Sequence, residues 1–177
     1  MRKVTAACFV VLGSFFVIAA QTKAEWITYT SAVGRYNVSM PEEPKITAQE
    51  TTTSTGEKLS QHLASSPDGN GVFMVGYFDY ASPMTFSFDK ARDGMVTAMR
   101  GTLIGEEAVS LGASSGRQLK ILAKDPNDNE FMDRARVYDV AGRVYVLQCI
   151  FPKAEDGFVV VEKCGKFIDS FKVEARP

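Results

Sequence analysis

A chain of 177 residues with 20 Lys and Arg against 21 Asp and Glu has no basic excess with which to hold a nucleic-acid backbone. Its single His and the two Cys beyond the first eight residues cannot fill the four positions of a structural zinc site. With 45% of its residues hydrophobic, the chain is long enough to bury one domain's core.

The chain opens on MRK and then runs apolar from Val4 to Ala20, broken by Thr5, Gly13 and Ser14, before turning polar at QTKAEW. A basic start, an apolar middle and a small residue at the cut describe a secretory signal peptide. Cleavage after Ala24 puts Thr22 and Ala24 at the recognition positions. An uncleaved anchor is the lesser alternative, because the run falls just short of the ~20 residues of a spanning helix. A lipoprotein reading of VTAAC fails, since almost nothing apolar precedes Cys8. The expected organisation is a signal peptide over 1–24 and a single domain over 25–177. Loss of Arg2, Lys3 and Lys23 leaves 17 basic residues against 21 acidic, a net charge of −4. The expected location follows: exported, to the periplasm first and the exterior second, with no stable membrane anchor after cleavage.

In chain order, WITYTS and GRYNVSM read as a short strand pair ending at Pro41. PKITAQETTTS and EKLSQHLAS flank a turn at Gly56. GVFMVGYFDY is apolar on both faces, with Phe73, Val75 and Tyr77 opposite Val72, Met74 and Phe78, as in a central strand covered twice. After Pro83 the period changes: Phe88, Ala91, Met95, Ala98 and Met99 recur at helical spacing, with Ser87 as cap and Gly101 as stop. Gly94 inside this helix marks a close helix–sheet contact. Strands resume at LIGEEAVSL, turn at GASSG, and continue in RQLKILAKD. DPNDNE is a turn, and FMDRARVYDV with RVYVLQCIF forms a hairpin around Ala141-Gly142. A closing helix spans about 154–171, its inner stripe being Val161, Cys164, Gly165, Ile168 and Phe171. Antiparallel strands in sequence with helices returning at two points predict an α+β fold, an antiparallel sheet flanked by helices.

YTSAVGRYNVSMPEEPKIT, FDKARDGMV, RARVYDVAGRVYVL and the closing FIDSF resemble secreted bacterial proteins of the PsbP-like superfamily. The resemblance covers most of the chain beyond residue 24 and implies an α/β/α sandwich. The superfamily includes the extrinsic subunit of the oxygen-evolving photosystem and a Ran-binding nuclear factor. It therefore implies an accessory or binding role rather than an enzyme. Nothing in the residues points to photosynthesis, and no site of those proteins maps onto this chain.

Cys149 and Cys164 are the nearest approach to chemistry. They are too far apart for a CxxC redox motif. An exported chain and an even count favour a disulfide. The spacing of packed layers, roughly 8–10 Å, exceeds the reach of a bridge and favours two separately packed thiols, unless the helix tilts or starts late. Both readings stay open. With Ala141-Gly142 as a two-residue turn, Cys149 lies opposite Arg134, where a wet guanidinium would favour a thiolate. Arg134, Arg136 and Arg143 share a hairpin face with Tyr138 and Tyr145, and cations beside aromatics fit an anionic ligand or acidic partner. A solvated face with a cross-strand aromatic pair is the plainer account of the same residues.

His62 falls on a polar strand face with Lys58 and Ser60, outside any nucleophile-elbow context. GASSGR lacks the ending of a phosphate loop. The neighbours Glu42-Glu43 and Glu106-Glu107 point to opposite faces, so neither pair is a carboxylate dyad. DPNDNE lacks the spaced ligands of a calcium loop. No cofactor and no metal are expected. The expected function is an exported, non-enzymatic binding module for a protein partner or a small anionic or apolar ligand. The alternatives are a thiol-dependent or hydrolytic exported enzyme, or a soluble lipid carrier.

Overall fold

The computed structural model describes residues 25–52, 58–80 and 85–174. The expected signal peptide and the turn at Gly56 lie outside the described residues. The strands are β1 (Ile27–Ser31), β2 (Tyr36–Met40), β3 (Lys45–Thr52), β4 (Lys58–Asp68) and β5 (Gly71–Asp79), followed by helix α1 (Phe88–Ala98). After it come β6 (Thr102–Leu111), β7 (Ser114–Lys124), β8 (Glu130–Val140) and β9 (Arg143–Pro152). A 3-10 turn (Lys153–Glu155), helix α2 (Phe158–Ser170) and β10 (Lys172–Val173) close the chain.

Seven strands form one antiparallel sheet in the order β3-β4-β5-β9-β8-β7-β6, and β1-β2-β10 form a smaller second sheet. The class is α+β and antiparallel, with strand dominating and only two helices. One face of the large sheet carries Phe73, Val75 and Tyr77, with Tyr145, Leu147, Cys149 and Phe151 beside them. These pack beneath Tyr36, Val38 and Met40 of β2 and Cys164, Phe167 and Ile168 of α2. The other face carries Leu119, Ile121, Ala135, Val137 and Val144 beneath Phe88, Met95, Val96 and Met99 of α1. The alternation of each strand divides its side chains between these two cores.

Ser87 caps α1, its hydroxyl accepting from the Lys90 backbone N–H at 3.4 Å. Gly94 does not mark a close contact: a Cβ there would meet nothing within 4 Å, because this side of α1 faces water. The close approach between the end of α1 and the sheet lies at Gly101, where a Cβ would sit 2.7 Å from Ile121 Cγ2 and 2.9 Å from the Leu122 carbonyl oxygen. The turn between β8 and β9 has two residues, Ala141 at φ 49° and Gly142 at φ 84°. Both are left-handed, as the twist of a tight hairpin requires. The resulting register sets Tyr138 opposite Tyr145 and Arg134 opposite Cys149. The β6–β7 turn is tighter than the segment GASSG implies, since only Gly112 and Ala113 lie between the strands.

α2 departs from expectation in start and phase. The 3-10 turn absorbs the first residues, so the helix begins at Phe158, and its buried side chains are Cys164, Phe167 and Ile168. Val161 and Gly165 turn toward the edge of the interface instead of its centre. This late start removes the geometric objection to a bridge: Cys149 and Cys164 are joined, with Cα atoms 5.8 Å apart, inside the reach of a disulfide. The bond fixes α2 to the central strand β9.

The bridged residues are 15 apart in sequence, and closing a loop of that size stabilises by about 3 kcal/mol in the chain-entropy model. The double variant Cys149→Ala/Cys164→Ala is expected to lose about that much unfolding free energy in denaturant melts. An unchanged midpoint would show that the packing of Phe167 and Ile168 holds α2 without the bond.

Candidate functional site: the groove beneath α2

Between α2 and strands β6–β8 runs a groove of about 450 Å³. Val161, Gly165 and Ile168 form its helical wall, and Ile104, Gly105 and Glu107 form the wall at the sheet edge. The floor follows from register. Gly105 pairs with Lys120, Lys120 with Arg134, and Arg134 with Cys149, giving one row across four strands. The next row is Glu107, Gln118, Arg136 and Leu147. Side chains directly opposite one another on one face are in reach, so each row acts as a unit.

The first row meets Asp156, which lies between the 3-10 turn and α2. Arg134 Nη2 donates to Asp156 Oδ1 at 2.8 Å, while Lys120 Nζ and Lys153 Nζ stand 3.5 and 3.9 Å from Oδ2. The hydrogen bond from Arg134, aided by the charge of Lys120, holds the Asp156 carboxyl below the usual carboxylate range. Arg134 Nε is buried and has no hydrogen-bond partner among the described residues. In the second row Arg136 is more fully engaged, donating from Nε to Gln118 Oε1 and from Nη1 to Asp169 Oδ1, both at 2.8 Å.

Two of the groove's wall residues are exposed and apolar, Ile104 at 47% and Val161 at 39%. Phe158 and Val159, on the first turn of α2, are 82% and 64% exposed but are not part of the lining. Ile104 owes its position to a β-bulge, the register shifting between Leu103 and Gly105. A bulge re-aims one side chain and bends the strand.

The arginine–tyrosine set expected from the sequence does not form one site. Arg134 and Arg136 line the groove. Arg143 and Tyr145 instead border a larger cleft of about 1110 Å³ at the hairpin-turn end of the sheet, with Arg35, Tyr80, Val140 and Lys172. Arg143 is held there by Asp79, at 2.7 and 2.6 Å, and by the Val33 carbonyl. Its guanidinium also lies 4.7 Å from the Tyr77 ring centroid. Tyr138 and Tyr145 are 3% and 2% exposed. Tyr138 stacks on Phe171, and the Tyr145 hydroxyl donates to the Gly34 carbonyl. They are core residues, because β2 and Phe171 cover the part of the hairpin that reads as a solvated face.

The remaining candidates resolve individually. His62 is half-buried and stacks on Tyr77 with ring centroids 4.7 Å apart, away from the polar surface expected for it. Glu106 turns to the α1 face, where Arg92 and Arg117 meet it, while Glu107 faces the groove. In DPNDNE the carboxylate of Asp125 accepts from the backbone of Asn127 and Asn129 and from the Asn129 side chain, as in an Asx turn. Among the described residues no cluster of His, Cys, Asp and Glu could hold a metal ion, and no helix is long and apolar enough to cross a membrane. Lys120, Asp156 and the exposed turn of α2 have no signature in the sequence. Their conjunction depends on where the helix begins.

The arrangement of sheets and helices matches the solution structure of cyanobacterial PsbP (CyanoP) from Synechocystis sp. PCC 6803. The TM-score is 0.61 at 16% identity, over 92% of this chain and 98% of that one. The fold is PsbP-like. A Pseudomonas aeruginosa protein of unknown function aligns more loosely, with a TM-score of 0.49 at 11% identity over 86% of this chain and 99% of that one. No protein-family profile matches the chain, and no curated protein matches it.

Directly behind the groove floor, on the α1 side of the PsbP-like sheet, β8 carries an unexpected charge. Asp133 is 0% exposed and lies between Ile121 and Ile150 in the register. Gln148 Nε2 donates to its Oδ2 at 2.9 Å, and Oδ1 has no partner among the described residues. Burial pushes its pKa up from 3.8 to about 7, against the smaller opposing effect of the Gln148 hydrogen bond. In the unfolded chain the carboxyl ionises near its ordinary value, so the folded state holds the extra proton between the two. The stability contributed by the neutral carboxyl is full below about pH 4 and is lost as pH rises to about 7. Asp133→Asn is expected to flatten the fall in melting temperature across that window. A variant whose melting temperature falls as steeply as the parent's would assign the pH dependence to other groups.

Proposed function

We propose that the chain is an exported, non-enzymatic accessory module that binds a partner protein through the groove beneath α2. The observation that carries this is a groove whose walls expose apolar side chains, Ile104 on β6 and Val161 on α2, the helix being fixed by a disulfide. Apolar surface left in water is disfavoured by roughly 25 cal/mol per Å², and where it lines a concave site it supports an interaction role. The PsbP-like fold supports an accessory role by resemblance, and the disulfide suits an oxidising compartment.

The competing readings have less behind them. A thiol-dependent enzyme would need a thiolate, whereas both buried cysteines are taken up in the bond. A hydrolase would need its histidine joined to a nucleophile and an acid, whereas His62 lies against the Tyr77 ring. A lipid carrier would need space between sheet and helix, where Phe73 and Phe167 instead pack edge to face at 5.4 Å.

A photo-crosslinking residue replacing Val161 in cells producing the full chain is expected to give a discrete protein adduct. The same residue replacing Thr97, exposed on α1, is expected to give none. Identical adduct patterns at the two positions, or no adduct at 161, would remove the groove as a docking surface.

A further inference from the structure

The two ends of the groove differ in charge. At the end nearest the start of α2, Asp156 faces three cations, Arg134 at 2.8 Å, Lys120 at 3.5 Å and Lys153 at 3.9 Å, and only Arg134 makes a short contact with it. One carboxylate among Arg134, Lys120 and Lys153 leaves two positive charges unbalanced. All three cations keep partial access to water, with side-chain exposures of 26%, 36% and 43%. The unpartnered Nε leaves the guanidinium with donor capacity to spare. At the other end Arg136 is matched by Asp169 and Gln118, and Glu107 lies in the same row. The other glutamate of β6, Glu106, is committed to Arg92 and Arg117 on the opposite face. Uncompensated positive charge and apolar wall residues therefore coincide at one end: Ile104 adjoins the Lys120–Arg134 row, and Val161 lies one turn before bridged Cys164.

Resting on the groove as the docking surface, we propose that its occupant is an extended segment of the partner in which an acidic residue stands beside a bulky apolar one. The carboxylate docks on Lys120, Arg134 and Lys153, and the apolar side chain packs against Ile104 and Val161. A carboxylate there gains charge-assisted hydrogen bonds in a partly dry site, and the neighbouring apolar contact excludes water around it. Room for the segment is provided by Gly165, which lines the groove and where a Cβ would meet nothing within 4 Å.

The test is an NMR titration of the full chain with two peptides, acetyl-Glu-Val-Glu-Leu-Glu-Val-amide and its counterpart with Gln at every Glu. The acidic peptide is expected to shift the amides of Gly105 and Gly165 and to bind about tenfold more tightly, the equivalent of one good charged contact. That advantage is expected to vanish in Lys120→Gln/Lys153→Gln and to shrink as salt screens the cations. Gly165→Leu is expected to abolish binding of both peptides by filling the groove. Its melting temperature is expected not to fall, since a helical glycine is replaced by a better helix former with open space around it. Equal binding of the two peptides, shifts confined to surfaces outside the groove, or no binding by either would overturn the proposal. Tighter binding of octanoate with the same shifts would reassign the groove to a small amphiphile and overturn it too. If the peptides bind equally while position 161 still crosslinks in cells, the acidic chemistry fails and the docking surface stands. If position 161 yields no adduct, the docking surface itself fails.

Discussion

The two-residue turn at Ala141-Gly142 is the constraint on which the rest of the molecule depends. It fixes the pairing of β8 with β9, and the period of two then decides which side chains reach which face. Cys149 points toward α2 and can be bridged, and Arg134 lies beside it on the same face. Asp133, one residue earlier, points the other way and is sealed beneath α1. A slip of one residue between β8 and β9 would face Cys149 with Asp133 or Ala135, whose side chains belong to the opposite core. Bridge, groove floor and both cores are thus consequences of one local geometry, repeated outward through the rows that join β6, β7, β8 and β9.

That geometry was legible because its causes are local. A two-residue turn ending in glycine between alternating strands, a serine ahead of a helical period and an apolar-on-both-sides strand are properties of neighbouring residues. What covers a face is not local. Tyr138 and Tyr145 read equally well as exposed or buried from the hairpin alone; Phe171 and Tyr36, far along the chain in opposite directions, decide the matter. The sequence leaves the inner stripe of α2 ambiguous, because Val161 and Gly165 fit helical spacing with Cys164 and Ile168 as well as Phe167 does. Only the 3-10 turn ahead of the helix selects between them. In FMDRAR, alternation separates Asp133 from its arginine neighbours, but the pattern does not say that the arginine side is partly open and the aspartate side closed.

The groove and the helix above it carry features that a stability-driven design would remove. An exposed phenylalanine on the first turn of a helix, a glycine in its middle and a buried guanidinium nitrogen without a partner each weaken the free chain slightly. Against these stand the covalent tie to β9 and the ring cluster of Phe73, Phe167, Tyr36 and Phe171. The same economy governs the sheet edge. β6 ends the sheet, and its bulge and paired glutamates discourage indiscriminate strand addition, leaving the adjacent groove as the more selective surface.

The bond between Cys149 and Cys164 also bears on how this surface is held. The contacts that hold α2 apart from the bond cluster at its later end, around Phe167, Ile168 and Phe171. The earlier end, with Phe158 to Val161, depends on Val160 and on the ion pair of Lys163 with Asp68. The bond at Cys164 thus sits between a well-packed end of α2 and a sparsely packed one, and it is the covalent tie nearest the Val161 wall of the groove. On the docking reading proposed above, the redox state of two buried sulfurs would then set how firmly that wall is held, and the groove beside them would report on it.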